Sequence, residues 1–402
     1  MEIDEWAIGQ RIAQHRMRRG LTQEELAGLA GISLSMMKKI ESGARTVTRF
    51  AQLVLFAQIL RVADLRDLTG VPMSMLPDAR RGHAAADSVR TAVLERGHGT
   101  EPVGLEPLRR LVGRAWGTWQ EPSSFRYDAV GQYLTEVIRL AQAQVNTSAG
   151  EQRREALALA STVYQLARTW TKRVGEYDLS WVVADRAVTC ALDADDPDLT
   201  GAAAWNLAMI LSAQGKTEQA RSVVRTAITH LGAQLGDAPA PGRLAVFGGL
   251  HLLGATEAAR EDDAQDAWNL LDTAAAIAAR TGETNHHRMV FGPTNVALHR
   301  ISTAIELGRT REALDLVERT DARNAASVER RLTFHIDAAR CYVRRDNPVA
   351  AVHMMGRVLR DSRDELRFNP IARETLRQLG ARGTPSIRAD LDPLLEAAGL
   401  TP

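Results

Sequence analysis

The sequence predicts an all-α protein: a head of five short helices, an irregular helical stretch, then a long array of helical hairpins. Three observations lead there. Between Leu21 and Gly43 the run LTQEELAGLAGISLSMMKKIESG carries two N-cap residues, a glycine turn and two short apolar stripes. From Tyr127 onward helix-like periodicity follows helix-like periodicity, with no convincing strand. Aromatic residues make up 5% of the chain against 45% hydrophobic, with Ala and Leu dominant, a mixture that suits closely packed helices.

Taken in order, Ile8, Ile12 and Met17 mark a first helix, which Gly20 closes. Thr22 caps a second, and Glu25 three residues later completes a capping box. Leu26, Ala27 and Ala30 form its apolar face. Gly31 sits where the chain turns sharply, a position open to positive φ. Ser33 caps a third helix with buried positions at Met37 and Ile40, and Gly43 ends it. The pair is a helix-turn-helix, whose second helix is free to present Leu34, Ser35, Met36 and Lys39 to base edges in a major groove. Phe50, Leu53, Val54, Ala57 and Leu60 supply a fourth helix, and Ala63 to Leu68 a fifth.

From about Ile8 to Val71, on the core TQEELAGLAGIS and KIESG, the chain resembles the Xre family of lambda-repressor-like helix-turn-helix regulators. That resemblance implies that Gln23 contacts a phosphate and braces the recognition helix. It also implies an ion pair between Arg16 and Glu41, and base reading by Leu34, Ser35, Met36 and Lys39. Leu34 and Met36 depart from the polar residues common there and point to apolar contact with thymine methyls.

Charge narrows how DNA would be held. Residues 1–70 carry ten Lys/Arg against eight Asp/Glu, and the whole chain has a net charge of +1. A polybasic coat is excluded, so phosphate contacts must come from placed groups. The expected set is Thr22, Gln23, Ser33, Arg45 and Arg49, with helix N-terminal amides. Only four of the 50 basic residues are lysines, and two of them, Lys38 and Lys39, are adjacent on the recognition helix.

A chain of 402 residues is too long for one core and implies further domains. No apolar run approaches the ~20 residues that span a bilayer, and MEIDEW does not read as a secretion signal, so a cytoplasmic protein is expected. Cys190 and Cys341 read as small buried hydrophobes. Phosphate-loop, dinucleotide, zinc-protease and serine-hydrolase motifs are missing, so neither an enzyme nor a cofactor is expected. Adjacent His286 and His287 point about 100° apart on a helix and do not form a metal site.

The expected division is residues 1–73 as DNA-binding head, 74–126 as helical linker and 127–402 as repeat domain. Prolines in VPMSMLPDAR and the glycines at 97 and 99 motivate the linker. The repeat shows best in AWNLAMILSAQGKTEQARSVVRTAI, where Gly215 is followed five positions on by Ala220. The same offset recurs at Asp262 and Ala267, Gly308 and Ala313, and Asp346 and Ala351, at steps of 47, 46 and 38 residues. Regular tetratricopeptide repeats step every ~34. Residues 150–380 therefore resemble a solenoid of degenerate tetratricopeptide repeats with a concave groove.

Asn206 and Asn295 lie inside apolar helices, where an amide either clamps an extended ligand or pairs with a neighbouring helix. With His299 they are the expected ligand-binding residues. Trp205, Trp268, His286, His287, Arg288 and Arg300 follow as weaker candidates. Head and array together resemble the RRNPP peptide-sensing regulators. That resemblance implies a homodimer on a double-stranded operator, switched by a peptide or small molecule. The alternative is a regulator or scaffold whose repeats bind a protein partner.

Overall fold

The computed structural model describes residues 5–44, 47, 50–60, 62, 66–69, 82–382 and 385–400. It divides into two units, Met1–Arg81 and Gly82–Pro402, each considered by itself.

The first unit holds α1 (Glu5–Arg18), α2 (Gln23–Leu29), α3 (Leu34–Glu41), α4 (Phe50–Leu60) and α5 (Arg66–Thr69). The capping box at Thr22 and Glu25 is formed, and Ser33 accepts from the Met36 amide. Gly31 takes φ +64, the left-handed conformation that costs a β-carbon-bearing residue about 1 kcal/mol or more. Ile8, Ile12, Leu26, Met37, Ile40, Phe56 and Leu68 meet in one core. Met17 does not join them and is 62% exposed. The stripe of α1 continues by fours, so Ile8 and Ile12 are followed by Arg16, and Met17 falls about 100° away.

Gly9 reads as unremarkable in the sequence, yet it is buried where α1 crosses α3. A β-carbon there would overlap the Ile40 carbonyl oxygen, and backbone cannot yield as a side chain does. Gly9→Ala is expected to push α1 off α3 and cost about 1–3 kcal/mol, read as a lower melting temperature of the head. An unchanged melting temperature would show that the helices can separate freely.

The second unit begins with α6 (Ala86–Glu95), α7 (Leu105–Gln120), α8 (Arg126–Thr147) and α9 (Gly150–Arg173). This corrects the expected linker over its described part. Val89, Val93, Leu108, Val112, Trp116 and Trp119 share a core with Tyr127, Leu134 and Trp170. Gly97 breaks the helix as expected, in the turn after α6 with φ +76, and is also a close approach: a β-carbon would meet the backbone of Gln142 and Ala143.

The chain then runs through α10 (Tyr177–Asp193), α11 (Pro197–Ala213), α12 (Thr217–Gly232), α13 (Pro241–Arg260) and α14 (Ala264–Thr281). After α14 come α15 (Pro293–Glu306), α16 (Thr310–Arg319), α17 (Val328–Arg344) and α18 (Pro348–Asp361). Three helices end it: α19 (Arg363–Phe368), α20 (Pro370–Ala381) and α21 (Arg388–Ala398). The repeat marks have a common cause. Gly215, Asp262, Gly308 and Asp346 take φ of 74, 61, 72 and 56° and terminate the first helix of each hairpin. The next amide bonds back five residues, as Lys216 does to Leu211 and Asp263 to Ala258, both at 2.9 Å, which is the Schellman closure. Ala220, Ala267, Ala313 and Ala351 are fully buried against the preceding helix. Two earlier turns, at Gly175 and Asp195, use the same left-handed residue but place Ser180 and Thr200 at the fifth position.

Helices α9, α11, α13, α15 and α17 pack side by side as one layer. A buried ionic junction ties α19 to the start of this unit. Glu365 Oε2 accepts from Arg126 Nη2 at 2.5 Å and from the Tyr127 hydroxyl at 3.0 Å. Its Oε1 accepts from Arg173 Nη1 at 2.5 Å and from Asn369 Nδ2 at 2.7 Å. The Tyr127 amide adds a bond to Asp364 Oδ2 at 3.1 Å.

Candidate functional site

The first site is the exposed side of α3. Met37, Ile40 and Glu41 face the core, so at about 100° per residue Ser35, Lys38, Lys39 and Ser42 face away from it. All four are exposed. Leu34 lies on one flank, half-buried, and Met36 on the other, packed against the head's own core. Of the expected reading set, Ser35 and Lys39 are exposed, as is Lys38, while Leu34 and Met36 are half-buried.

The orientation of α3 is set by Glu41. Arg16 Nε donates to its Oε1 at 2.6 Å, Arg16 Nη2 to its Oε2 at 3.0 Å, and Gln23 Nε2 to Oε2 at 2.7 Å. Arg16 Nη1 also donates to the Leu21 carbonyl at 2.7 Å. The carboxylate partner holds the Arg16 guanidinium above its ordinary pKa, first through the hydrogen bond. Gln23 thus braces the end of α3. The Thr22 hydroxyl is engaged with Glu25, accepting from its amide at 3.1 Å and donating to Oε2 at 2.9 Å. The Ser33 hydroxyl caps α3, accepting from Met36 N at 3.2 Å. Arg45 and Arg49 lie outside the described residues.

The second site is a cavity of about 330 Å³ in the second unit, walled by the layer α9, α11, α13, α15 and α17. Asn206, Asn295 and His299 all line it, as do Trp205, His287 and Arg288. The three expected ligand residues differ in what they have free. Asn206 is satisfied by its neighbours: Oδ1 accepts from Arg168 Nη2, and Nδ2 donates to Gln165 Oε1 at 3.0 Å and Ala202 O at 2.9 Å. Asn295 is 4% exposed, and its Oδ1 has no partner among the described residues. His299 Nδ1 lies 2.9 Å from the Asn295 carbonyl. A carbonyl only accepts, so Nδ1 carries the proton and Nε2 is left as an acceptor. Burial, with help from the Arg330 charge, pushes this ring down to about 4, so it is neutral.

The FGPTN run explains how Asn295 is placed. Thr284 and Phe291 bond each other's backbones at 2.8 and 2.9 Å, closing the loop between α14 and α15. The Phe291 ring fills the space where a β-carbon on Gly248 would sit. Glu283 Oε1 accepts from the Thr294 amide at 2.7 Å, and Pro293 starts α15. Inside this loop His287, Arg288 and Val290 take φ of 49, 60 and 50°. Positive φ on a β-branched residue is rare, and such strain collects at ligand clamps and switch segments.

Sequence reasoning missed the charges of the cavity. Seven Lys/Arg and four Asp/Glu line it. Glu257 accepts from Ser212 Oγ at 2.8 Å and pairs with Arg260 at 2.9 Å; Asp337 accepts from Ser302 Oγ at 2.7 Å and pairs with Arg340 at 2.9 Å. Burial pushes both acids above their usual range. Among the described residues, Arg168, Lys172, Arg288 and Arg330 pair with no carboxylate. Burial pushes Arg168 down to about 9 and lowers Arg330 and Arg288. Lys172 falls well below its ordinary value, through burial first and then the charges of Arg168, Arg173 and Arg260. The available signal was the lysine itself, one of four in the chain, one turn after Arg168.

Residues 7–68 match the family model of the helix-turn-helix domain. The cap–turn–cap geometry around Gly31 lies within this helix-turn-helix segment, and so does the Arg16–Glu41–Gln23 brace. No curated protein matches the chain. Among solved structures, that of Bacillus thuringiensis PlcR in complex with the peptide PapR7 and DNA aligns over 87% of this chain and 98% of that one. The identity is 13% and the TM-score 0.33. Among the described residues no helix is long and apolar enough to cross a membrane, and no group of three or more His, Cys, Asp or Glu is placed to hold a metal.

Proposed function

We propose that this helix-turn-helix protein is a sequence-specific transcription regulator of the cytoplasm. Its head reads a double-stranded operator, and its helical second unit dimerises and senses a small ligand. The observation that carries the DNA reading is the braced α3, which offers Ser35, Lys38 and Lys39 on one free face while Arg16 and Gln23 hold Glu41 at its end. A head of this size covers one half-site, so two heads about 34 Å apart, or a multiple of that, are expected. Ligand sensing is supported by the cavity, by the unpartnered Asn295 Oδ1 inside it and by the strained loop along its wall. The rival reading, a scaffold that has lost DNA binding, drew on an apolar recognition face. It weakens because Met36 is half-buried against the head's own core.

Footprinting on genomic fragments tests the proposal. Two protected half-sites one turn or a whole number of turns apart are expected. Lys39→Ala should weaken operator binding by about 1–3 kcal/mol if it reads a base. A Lys39 that only meets phosphate would instead weaken all sequences alike and reduce the salt slope by about one. Binding to genomic DNA no tighter than to random DNA would overturn the regulator reading.

A further inference from the structure

The cavity's wall is incomplete in one specific way. Buried and half-buried charges are normally paired, and Arg173, Arg260 and Arg340 follow that rule with Glu365, Glu257 and Asp337. Arg168, Lys172 and Arg330 do not. Arg168 and Lys172 lie one turn apart on α9, where like charges repel. Arg168 is buried, gives one bond to Asn206, stands over the Trp205 ring at 5.6 Å and leaves Nε without a partner among the described residues. Of the wall's acids, Glu329 is 3.7 Å from Arg173, and Glu306 is exposed. On the same wall Asn295 Oδ1 and His299 Nε2 offer acceptors with nothing to accept.

We propose that the cavity binds a small oxyanion, a carboxylate or phosphate, that also carries an N–H or O–H donor. Arg168, Lys172 and Arg330 take the negative charge, and Asn295 and His299 receive the donor. This rests on the reading of the cavity as a ligand site and names the chemistry of the ligand. The volume of about 330 Å³ is at the small end of ligand pockets, which run from about 300 to 1,000 Å³, so the ligand is small.

The test is calorimetric titration and thermal unfolding of the full-length protein with inorganic phosphate, acetate and N-acetylglycine, against chloride at equal ionic strength. At least one oxyanion should bind and raise the melting temperature by mass action. A response to phosphate alone assigns a phosphoryl ligand. N-acetylglycine binding more tightly than acetate assigns a carboxylate with an adjacent amide donor. Lys172→Met and Arg330→Met should each weaken that binding about tenfold or more. Their melting temperatures without anion should equal or exceed that of the wild type, because an unpaired charge has been removed. No stabilisation by any of the three anions, equal stabilisation in the variants, or clearly less stable variants without anion would overturn the proposal. An anion that binds the cavity without altering operator affinity would overturn the sensor reading and leave the anion site intact. Sequence-specific DNA binding with no anion binding would overturn only the anion site.

Discussion

Glu365→Ala is expected to lower the stability of the helical unit by about 3–5 kcal/mol, the largest effect of any single substitution considered. Glu365 is 1% exposed and its two oxygens receive four donors, from Arg126, Tyr127, Arg173 and Asn369. Truncation would leave the fully buried Arg126 guanidinium, stacked on Trp119 at 4.4 Å, without its counter-charge. The pair need not be worth that much in net stability, since an apolar replacement of all partners avoids the desolvation. Removing one partner does not avoid it. Acidification provides a second readout. Burial alone would raise the Glu365 carboxyl, but Arg173 and Arg126 hold it down at about 2. Its contribution is therefore present above the unfolded value of about 4.3 and is lost as pH falls through 2. Asp364 works the other way: burial pushes it up to about 6, so its contribution is present at low pH and is lost as pH rises through 6. Wild-type stability should hold or rise from pH 6 to 4 and then fall, and Glu365→Gln should lose the acid limb. A Glu365→Ala protein that melts with the wild type would show the junction to be energetically idle.

Glu41→Ala is expected to cost the head about 2–3 kcal/mol and to weaken operator binding further than the stability loss alone explains. The Glu41 side chain is 6% exposed and that of Arg16 13%, so the charge left behind is largely withdrawn from water. Arg16 keeps its bond to the Leu21 carbonyl, which holds the loss below that at Glu365. Gln23 also loses its acceptor, and with it the tie between α2 and the end of α3. Thermal unfolding of the isolated variant and an operator titration below its melting range separate the two effects. Equal melting temperatures, or an affinity unchanged in the folded variant, would show that α3 is oriented by its core contacts alone.

The elements legible in the sequence are those whose causes are local. Thr22 with Glu25, Ser33, Gly31 and Gly43 set caps and turns within a few residues, and they recur in the structure where the pattern put them. The offset from Gly215 to Ala220 is also local, because one left-handed residue and one small residue suffice to fold a helix back on its predecessor. It disappears from view at Gly175 and Asp195, where Ser180 and Thr200 replace the alanine. Asn206, Asn295 and His299 were legible as polar residues in apolar helices, and all three line the same cavity. Which of them is free was not legible, since that depends on Gln165 and Arg168 meeting Asn206 across some 40 residues.

An all-α chain, a helix-turn-helix with its caps and the hairpin turns of the array thus follow from the order of the residues alone. That residues 86–120 belong to the core of the second unit, that Gly9 must lack a side chain, and that Glu365 meets Arg126 across 239 positions emerges only once the helices are packed. So does the place of Lys172 and Arg330 in a cavity wall with no carboxylate partner among the described residues. The reason is range. Caps and turns are satisfied by neighbours in sequence, whereas the state of a buried charge depends on which distant helix supplies, or withholds, its partner.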